Sequence, residues 1–518
     1  VDARQTRKRP CCMNDPSEED SEDRRILTAD ALAIEHTTRT NEEVVDTGTE
    51  PSETLPESEP RPCGLSLAER IGVHYSWVVL GVGTTTKMLS SPGQSTCVGI
   101  ISNKLAEVLG GTNPLSKVTL LYLIATIGSA CTLPFIGPRI DQFGPNRVSA
   151  CVGLAFGITC LLTPFVFNVP TMLVAFYFLR LLGQGSMTLV GQNAINQWWV
   201  KSRGLVMGVS GALAGFSILG LFPALLRLIM SSRPDDPDSW HLFYFGLGGV
   251  LLVFFTPLSG LCFTRRKPEA YGLLPDGKRG TTAATSPGDR EDGGREVTVV
   301  EEANMTRAQA LRTLDFWMFS MATMTVAMLA TAFLFHLQAF ARDHKVDERV
   351  TDAMFLTCAV VAAASNVVGG VLVTKLSHRT VLFIIATLLT SSMLSSRFMS
   401  NALGVPLAAC LGASVGLNQN LNAVVYATRF GRKHLGSISS ISNSMGVFGS
   451  ALGPLPFGVV KDRMGAFDNA FTASAVLPGC LFLFLFASVF LKSKRPGPDT
   501  ELELQETPAT ENKPNESV

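Results

Sequence analysis

Gly137-Pro138-Arg139-Ile140-Asp141-Gln142-Phe143-Gly144-Pro145-Asn146-Arg147 joins two long apolar runs, 116–138 and 147–168. Its glycines and prolines mark a turn. Each flank is long enough to cross a bilayer core, which takes about 20 apolar residues. The stretch has an echo far downstream. Leu133-Pro134-Phe135 leads to Gly137, Asp141 and Gly144, and Leu455-Pro456-Phe457 leads to Gly458, Asp462 and Gly465. A turn repeated with its acid and second glycine at the same offsets from the first glycine points to a duplicated chain of membrane-crossing helices.

Outward from this turn, similar runs lie near 75–102, 171–197, 204–230, 241–263, 314–340, 351–374, 379–396, 401–427, 435–460 and 467–491, making about twelve in all. The long polar interval 264–313 divides them six and six. Composition agrees: 46% of the 518 residues are hydrophobic and 17% charged, against about 25% charged in soluble domains. With 43 basic and 43 acidic residues the net charge is zero, which gives no sign of a nucleic-acid partner. Of the eleven cysteines, Cys97, Cys131, Cys151, Cys160, Cys358, Cys410 and Cys480 fall inside apolar runs, none in a CxxC pair, and read as small buried residues.

The expected organisation is a disordered cytoplasmic tail over 1–72, a six-helix bundle over 73–263, a cytoplasmic loop over 264–313, a second six-helix bundle over 314–491 and a second cytoplasmic tail over 492–518. Residues 1 to about 25 mix arginine with many acids and resemble neither a signal peptide nor a transit sequence. Lysine and arginine favour the cytoplasmic side. Arg139, Arg147, Lys201, Arg203, Lys375, Arg379, Arg429, Arg432 and Lys433, with the basic central loop, place both termini inside. The plasma membrane is the default location. Gly208, Gly211 and Gly215 in the fifth run recur at the same spacing as Gly446, Gly449 and Gly453 in the eleventh, and such glycines let helix backbones approach. In a parallel duplication of nested inverted repeats, runs two, five, eight and eleven are equivalent.

The 137–147 turn resembles the signature loop between helices two and three of the major facilitator superfamily. The resemblance implies an all-α membrane protein of twelve transmembrane helices in two six-helix bundles. It also implies conformational roles for Gly137, Arg139, Asp141, Gly144 and Arg147, in which the acid joins a charge network. Asp462 is the matching acid of the echo. The loop after the eighth run, Gly370 to Arg379, lacks an acid. Trp199-Val200-Lys201-Ser202-Arg203-Gly204, Arg266-Lys267-Pro268-Glu269-Ala270-Tyr271-Gly272-Leu273-Leu274-Pro275-Asp276-Gly277 and Leu314-Asp315-Phe316-Trp317 resemble the oxalate/formate antiporter and monocarboxylate porter branches. The chain departs from both where their chemistry lies. Gly93, and no lysine, follows Pro92, and the eighth run holds only Asp352, at its edge.

An ionisable group near the bilayer centre costs at least about 2.5 kcal/mol. Lys87 in the first run and Arg180 in the fourth stand at such positions. The superfamily resemblance implies that helices one, four, seven and ten line a central cavity. Polar residues recur at helical spacing on three of these runs: Thr84, Lys87, Ser91 and Gln94; Arg180, Gln184, Thr188, Gln192 and Asn196; Ser414, Asn418, Asn422 and Tyr426. From them we take Lys87, Ser91, Gln94, Arg180, Gln184, Thr188, Asn418 and Asn422 as candidate substrate-binding residues. The alternative for the amides is hydrogen bonding between helices, and for Arg180 a tie to neighbouring carbonyls.

No aspartate or glutamate sits deep in any run, so an anionic substrate would supply the missing charge, a carboxylate matching an arginine fork. The expected function is a secondary active or facilitative transporter of a mono- or dicarboxylate, with exchange or facilitated diffusion favoured over a carboxylate proton carrier. A carrier of a neutral solute and a transporter-like receptor that does not translocate stay open. No HExxH, paired membrane aspartates or phosphate-binding GK[ST] loop appears, which argues against an enzyme. No cofactor or metal is expected. The expected partners are a small molecule and the lipid bilayer, with any coupling ion unknown. His336 lies about a turn from the end of its run and reads as interfacial.

Overall fold

The computed structural model describes residues 72–490 except 111–113, 266, 272, 277–303 and 465–466, together with 65, 68 and 70. The expected tails and most of the central loop lie outside these residues. Leu65 and Ala68, within the stretch read as tail, are buried.

The described residues are almost wholly helical. Helix α1 (Tyr75–Met88) is separated from α2 (Ser95–Leu109) by a tight turn at Ser91–Gly93. Helix α3 (Pro114–Leu162) changes direction at Gly144, whose φ of 83° suits glycine, and a side chain there would also strike Arg265. Helices α4 (Val169–Trp198), α5 (Arg203–Ser232) and α6 (Trp240–Cys262) follow. After a helical turn at Arg307–Leu311 come α7 (Leu314–Asp343), α8 (Glu348–Lys375), α9 (His378–Ser395), α10 (Gly404–Phe430), α11 (Leu435–Leu452), α12 (Pro454–Met464), α13 (Asp468–Ser474) and α14 (Val476–Phe490). Side chains cap several starts. The Asn168 carboxamide accepts the Thr171 amide at 3.0 Å, Thr313 accepts that of Phe316 at 3.2 Å and Ser377 that of Thr380 at 3.1 Å.

Seven of the described helices are long and apolar enough to cross a membrane, where the sequence leads one to expect twelve. The difference has a physical origin. Two expected runs are joined in the 49 residues of α3, and the first is split between α1 and α2. The last two are interrupted near Gly453 and Ala475, and α10 is diluted by Asn418, Gln419, Asn420 and Asn422. Large apolar side chains such as Leu228, Phe254, Leu356 and Phe383 are exposed on α5, α6, α8 and α9, suited to lipid. The chain is an integral, multi-pass membrane protein.

Helix α5 packs along α8, and α3 along α11. The repeated glycines account for much of this closeness. Gly208 and Gly211 sit against Asn366 of α8, while Gly446, Gly449 and Gly453 sit against Thr323, Met324 and Met328 of α7; Gly215 has open space beside it. Contacts among helix ends define one face, called here the Asp141 face. It holds the α3 turn, the ends of α4, α6 and α10, and the starts of α5, α7 and α11.

Candidate functional site

At the Asp141 face, the Asp141 carboxylate accepts the Gly436 amide at 2.8 Å, the Ser437 amide at 2.7 Å and the Ser437 hydroxyl at 2.6 Å. It therefore supplies the start of α11 with acceptor and negative charge together. Gly137 and Gly436 touch through their backbones, as do Gly204 and Gly370. Arg139 and Arg147 are exposed and have no ion pair among the described residues, so Asp141 engages a distant helix start and neither arginine. Asp462 lies on α12, and its side chain is outside the described ones.

The stretch after α6 reinforces this face. Glu269 meets Arg432 at 2.6 Å, and Arg432 also donates to the Gln197 carbonyl at 2.7 Å. The Asp276 carboxylate accepts the amides of Val200, Lys201 and Ser202 at 3.1, 2.8 and 2.9 Å. Sequence reasoning gave neither acid a role, although both lie in a motif it singled out. Their pairing across long sequence separations is what it lacked.

Deeper in the chain, two irregularities face each other. The turn at Ser91–Gly93 separates α1 from α2, and α4 widens into a π-helical stretch over Leu179–Met187. Gly93 lies so close to the Leu179 carbonyl and Gly183 Cα that no side chain fits there. Such widened turns recur at functional sites.

The structure puts the two candidate cations on different levels. Lys87, 7% exposed, donates to Ser210 Oγ at 3.2 Å. A side chain at Gly191 would meet its stem. Gly191 lies eleven residues beyond Arg180 on α4, about 16 Å along an ideal helix. Arg180, 1% exposed, reaches Ser95 Oγ at 3.2 Å, Ser450 Oγ at 3.4 Å and the face of Tyr122 at 5.1 Å. All three partners are neutral. Its Nε is buried without a hydrogen-bond partner, and it has no carboxylate partner among the described residues.

Below Arg180 on the same stripe, Gln184 Oε1 and Thr188 Oγ1 are also buried without partners. Farther along, Gln192 donates to the Asn422 carbonyl at 3.3 Å and Asn196 to the Ala423 carbonyl at 2.8 Å. The stripe thus meets helices of the second part of the chain at both ends, through Ser450 and through α10, and has unsatisfied polar atoms between. Helices α4 and α10 run in the same sense, which puts Asn418 level with Thr188. Asn418 is buried and has no hydrogen bond to a described residue.

Other candidates are already engaged. Asn422 Oδ1 accepts from Ser442 at 2.9 Å and Thr323 at 3.2 Å, and its Nδ2 donates to Asn443 at 2.9 Å. Tyr426 donates to Ser442 at 2.6 Å. Ser91 contacts Cys97 Sγ at 3.6 Å, and Gln94 donates to Ser90 at 3.1 Å. His336 contacts the Pro454 carbonyl at 2.9 Å, near the interruption between α11 and α12.

Comparison with known proteins accords with this architecture. The family model described as Major Facilitator Superfamily matches residues 86–454 and 321–513. The oxalate:formate antiporter of Oxalobacter formigenes is 24% identical over 261 residues, 49% of this chain and 48% of that protein. The chain thus spans about half the length of that relative. The "Probable sulfoacetate transporter SauU" of Cupriavidus necator is 22% identical over 376 residues, 69% of this chain and 82% of that protein. Among solved structures, the transporter FucP in its outward conformation aligns with a TM-score of 0.56 at 13% identity, covering 80% of this chain and 99% of FucP.

Proposed function

Because the chain belongs to the Major Facilitator Superfamily, a class of carriers and not of enzymes, we propose that it moves a small organic carboxylate across a membrane by alternating access. Twelve passes in two groups of six follow if α1 with α2, α11 with α12, and α13 with α14 each make one pass and α3 makes two. The Asp141 face and both tails then lie in the cytoplasm, in keeping with the basic residues there, and the plasma membrane is the proposed site.

The observation that carries the anion is Arg180. It is 1% exposed, it meets only neutral hydroxyls and a ring, and its Nε has no partner. A cation so placed is costly until an anion joins it. Below it on the stripe, Gln184 and then Thr188, with Asn418 level with Thr188, supply neutral polar contacts, and Lys87 is a second cation nearer the Asp141 face. The names of the two curated relatives, which specify oxalate, formate and sulfoacetate, support a small anion. Exchange or facilitated diffusion fits a chain whose deep polar residues include no acid.

Purified protein in liposomes tests this reading. Saturable uptake or exchange of a labelled carboxylate is expected, with Arg180→Gln losing it while remaining folded and Lys87→Gln losing less. Binding without flux under any gradient would make the protein a receptor. Uptake that survives Arg180→Gln unchanged would remove the anion assignment.

A further inference from the structure

We propose that the interruption of the first membrane pass is the seat of the substrate carboxylate, held between the N-terminus of α2 and the Arg180 guanidinium. This rests on the anion reading above and specifies which atoms take the charge.

Helix α2 starts afresh at Ser95, after Gln94 in an extended conformation (φ −85°, ψ 154°), and runs for 15 residues with no side-chain cap. The amides of Ser95, Thr96 and Cys97 have no acceptor among the described residues. Such a start carries about half a positive charge and outward-pointing donors. Arg180 is directed at the same place, since its Nη1 lies 3.2 Å from Ser95 Oγ, on the first residue of the helix. A buried guanidinium and a helix N-terminus are both positive. They repel unless an anion stands between them.

Lys87 supplies the contrast. It lies in the last turn of α1, where a cation is matched to the carbonyl end of its helix. Of the two candidate cations, Arg180 is the one set against the wrong end of a helix dipole. A carboxylate resolves that conflict, one oxygen accepting amides of the first turn and the other the guanidinium. Irregular backbone at membrane depth is tolerated where it is buried in protein or lines a cavity, and half-helix starts there suit anionic groups. The fit of Gly93 against α4 holds this start beside Arg180.

A carboxylate built into the chain at this seat provides the test. The full-length protein is purified as wild type, Ser95→Asp and the neutral near-isostere Ser95→Asn, and melted with and without formate, acetate, oxalate and succinate. The expected result is a higher melting temperature for ligand-free Ser95→Asp than for Ser95→Asn. The added carboxylates should stabilise wild type and lose at least tenfold in apparent affinity for Ser95→Asp. Thr96→Pro, which removes one amide of the first helical turn, should bind at least tenfold more weakly than Thr96→Val. Equal melting of the Asp and Asn variants, undiminished carboxylate binding by Ser95→Asp, or equal binding by the two Thr96 variants would each overturn the seat. Wild type indifferent to every carboxylate would instead overturn the anion-carrier reading beneath it.

Discussion

Glu269 and Arg432 join the stretch that follows α6 to the turn between α10 and α11, their charged groups 2.6 Å apart. The arginine is nearly buried and the glutamate about two-thirds so, at side-chain exposures of 7% and 31%. The pair is therefore better shielded than a surface ion pair, and a charged hydrogen bond of this kind is worth about 1.5–3 kcal/mol. Glu269→Gln should shift the population toward opening at the Asp141 face by about tenfold or more. Labelling of a cysteine placed at Ser440 by a polar maleimide reads that opening. The exchanged pair Glu269→Arg with Arg432→Glu should restore much of the protection.

Asp141 makes a second, separable prediction. Asp141→Ala leaves the Gly436 and Ser437 amides without their acceptor, at a cost typical of a lost helix cap, about 0.5–2 kcal/mol. Hydrogen exchange at the start of α11 should quicken several-fold, while the start of α9, capped by its own Ser377, stays unchanged. Arg147→Ala should leave both starts unaffected, since Arg147 is exposed and forms no ion pair among the described residues.

Gly204 and Gly370 press backbone on backbone. A valine at Gly204 must push α5 from α8, and overpacking of this kind costs about 1–3 kcal/mol. We expect a lower melting temperature and strongly reduced transport. Gly215→Val, on the same helix with open space beside it, should do neither.

Asp276 holds three consecutive amides of the α4–α5 turn. Asp276→Ala should destabilise the protein by about 2 kcal/mol, read as a lower melting temperature. Asp276→Asn, which keeps an acceptor oxygen, should recover part of the loss.

Much of the layout was legible because lipid imposes a simple grammar: long apolar runs, basic ends and glycines where helices touch. The spacing of Gly208 and Gly211 and of Gly446, Gly449 and Gly453 marked close approaches that the structure contains. The site was less legible. Residues 75–102 read as one run because hydropathy does not register the conformational break that Pro92 and Gly93 bring. Lys87 and Arg180 both read as cations near the bilayer centre, yet the approaches of Gly83 to Gly191 and of Gly93 to Gly183 put them on different levels. Asn422 stood on a promising stripe, but Ser442, Thr323 and Asn443 occupy its carboxamide. Asp141 sat among arginines in the sequence and bonds a helix nearly three hundred positions away.

With the carboxylate seated as proposed above, the start of α2 would place peptide amides, and not only side chains, in the path of the cargo. Peptide amides are common to every residue except proline, so point mutation rarely erases them. Recognition of charge at such a seat would therefore be conservative under mutation. Drift in what the carrier accepts would fall on the side chains around it, above all Gln184, Thr188 and Asn418, so that descendants of one ancestral gene would exchange one acid for another more readily than they would abandon acids.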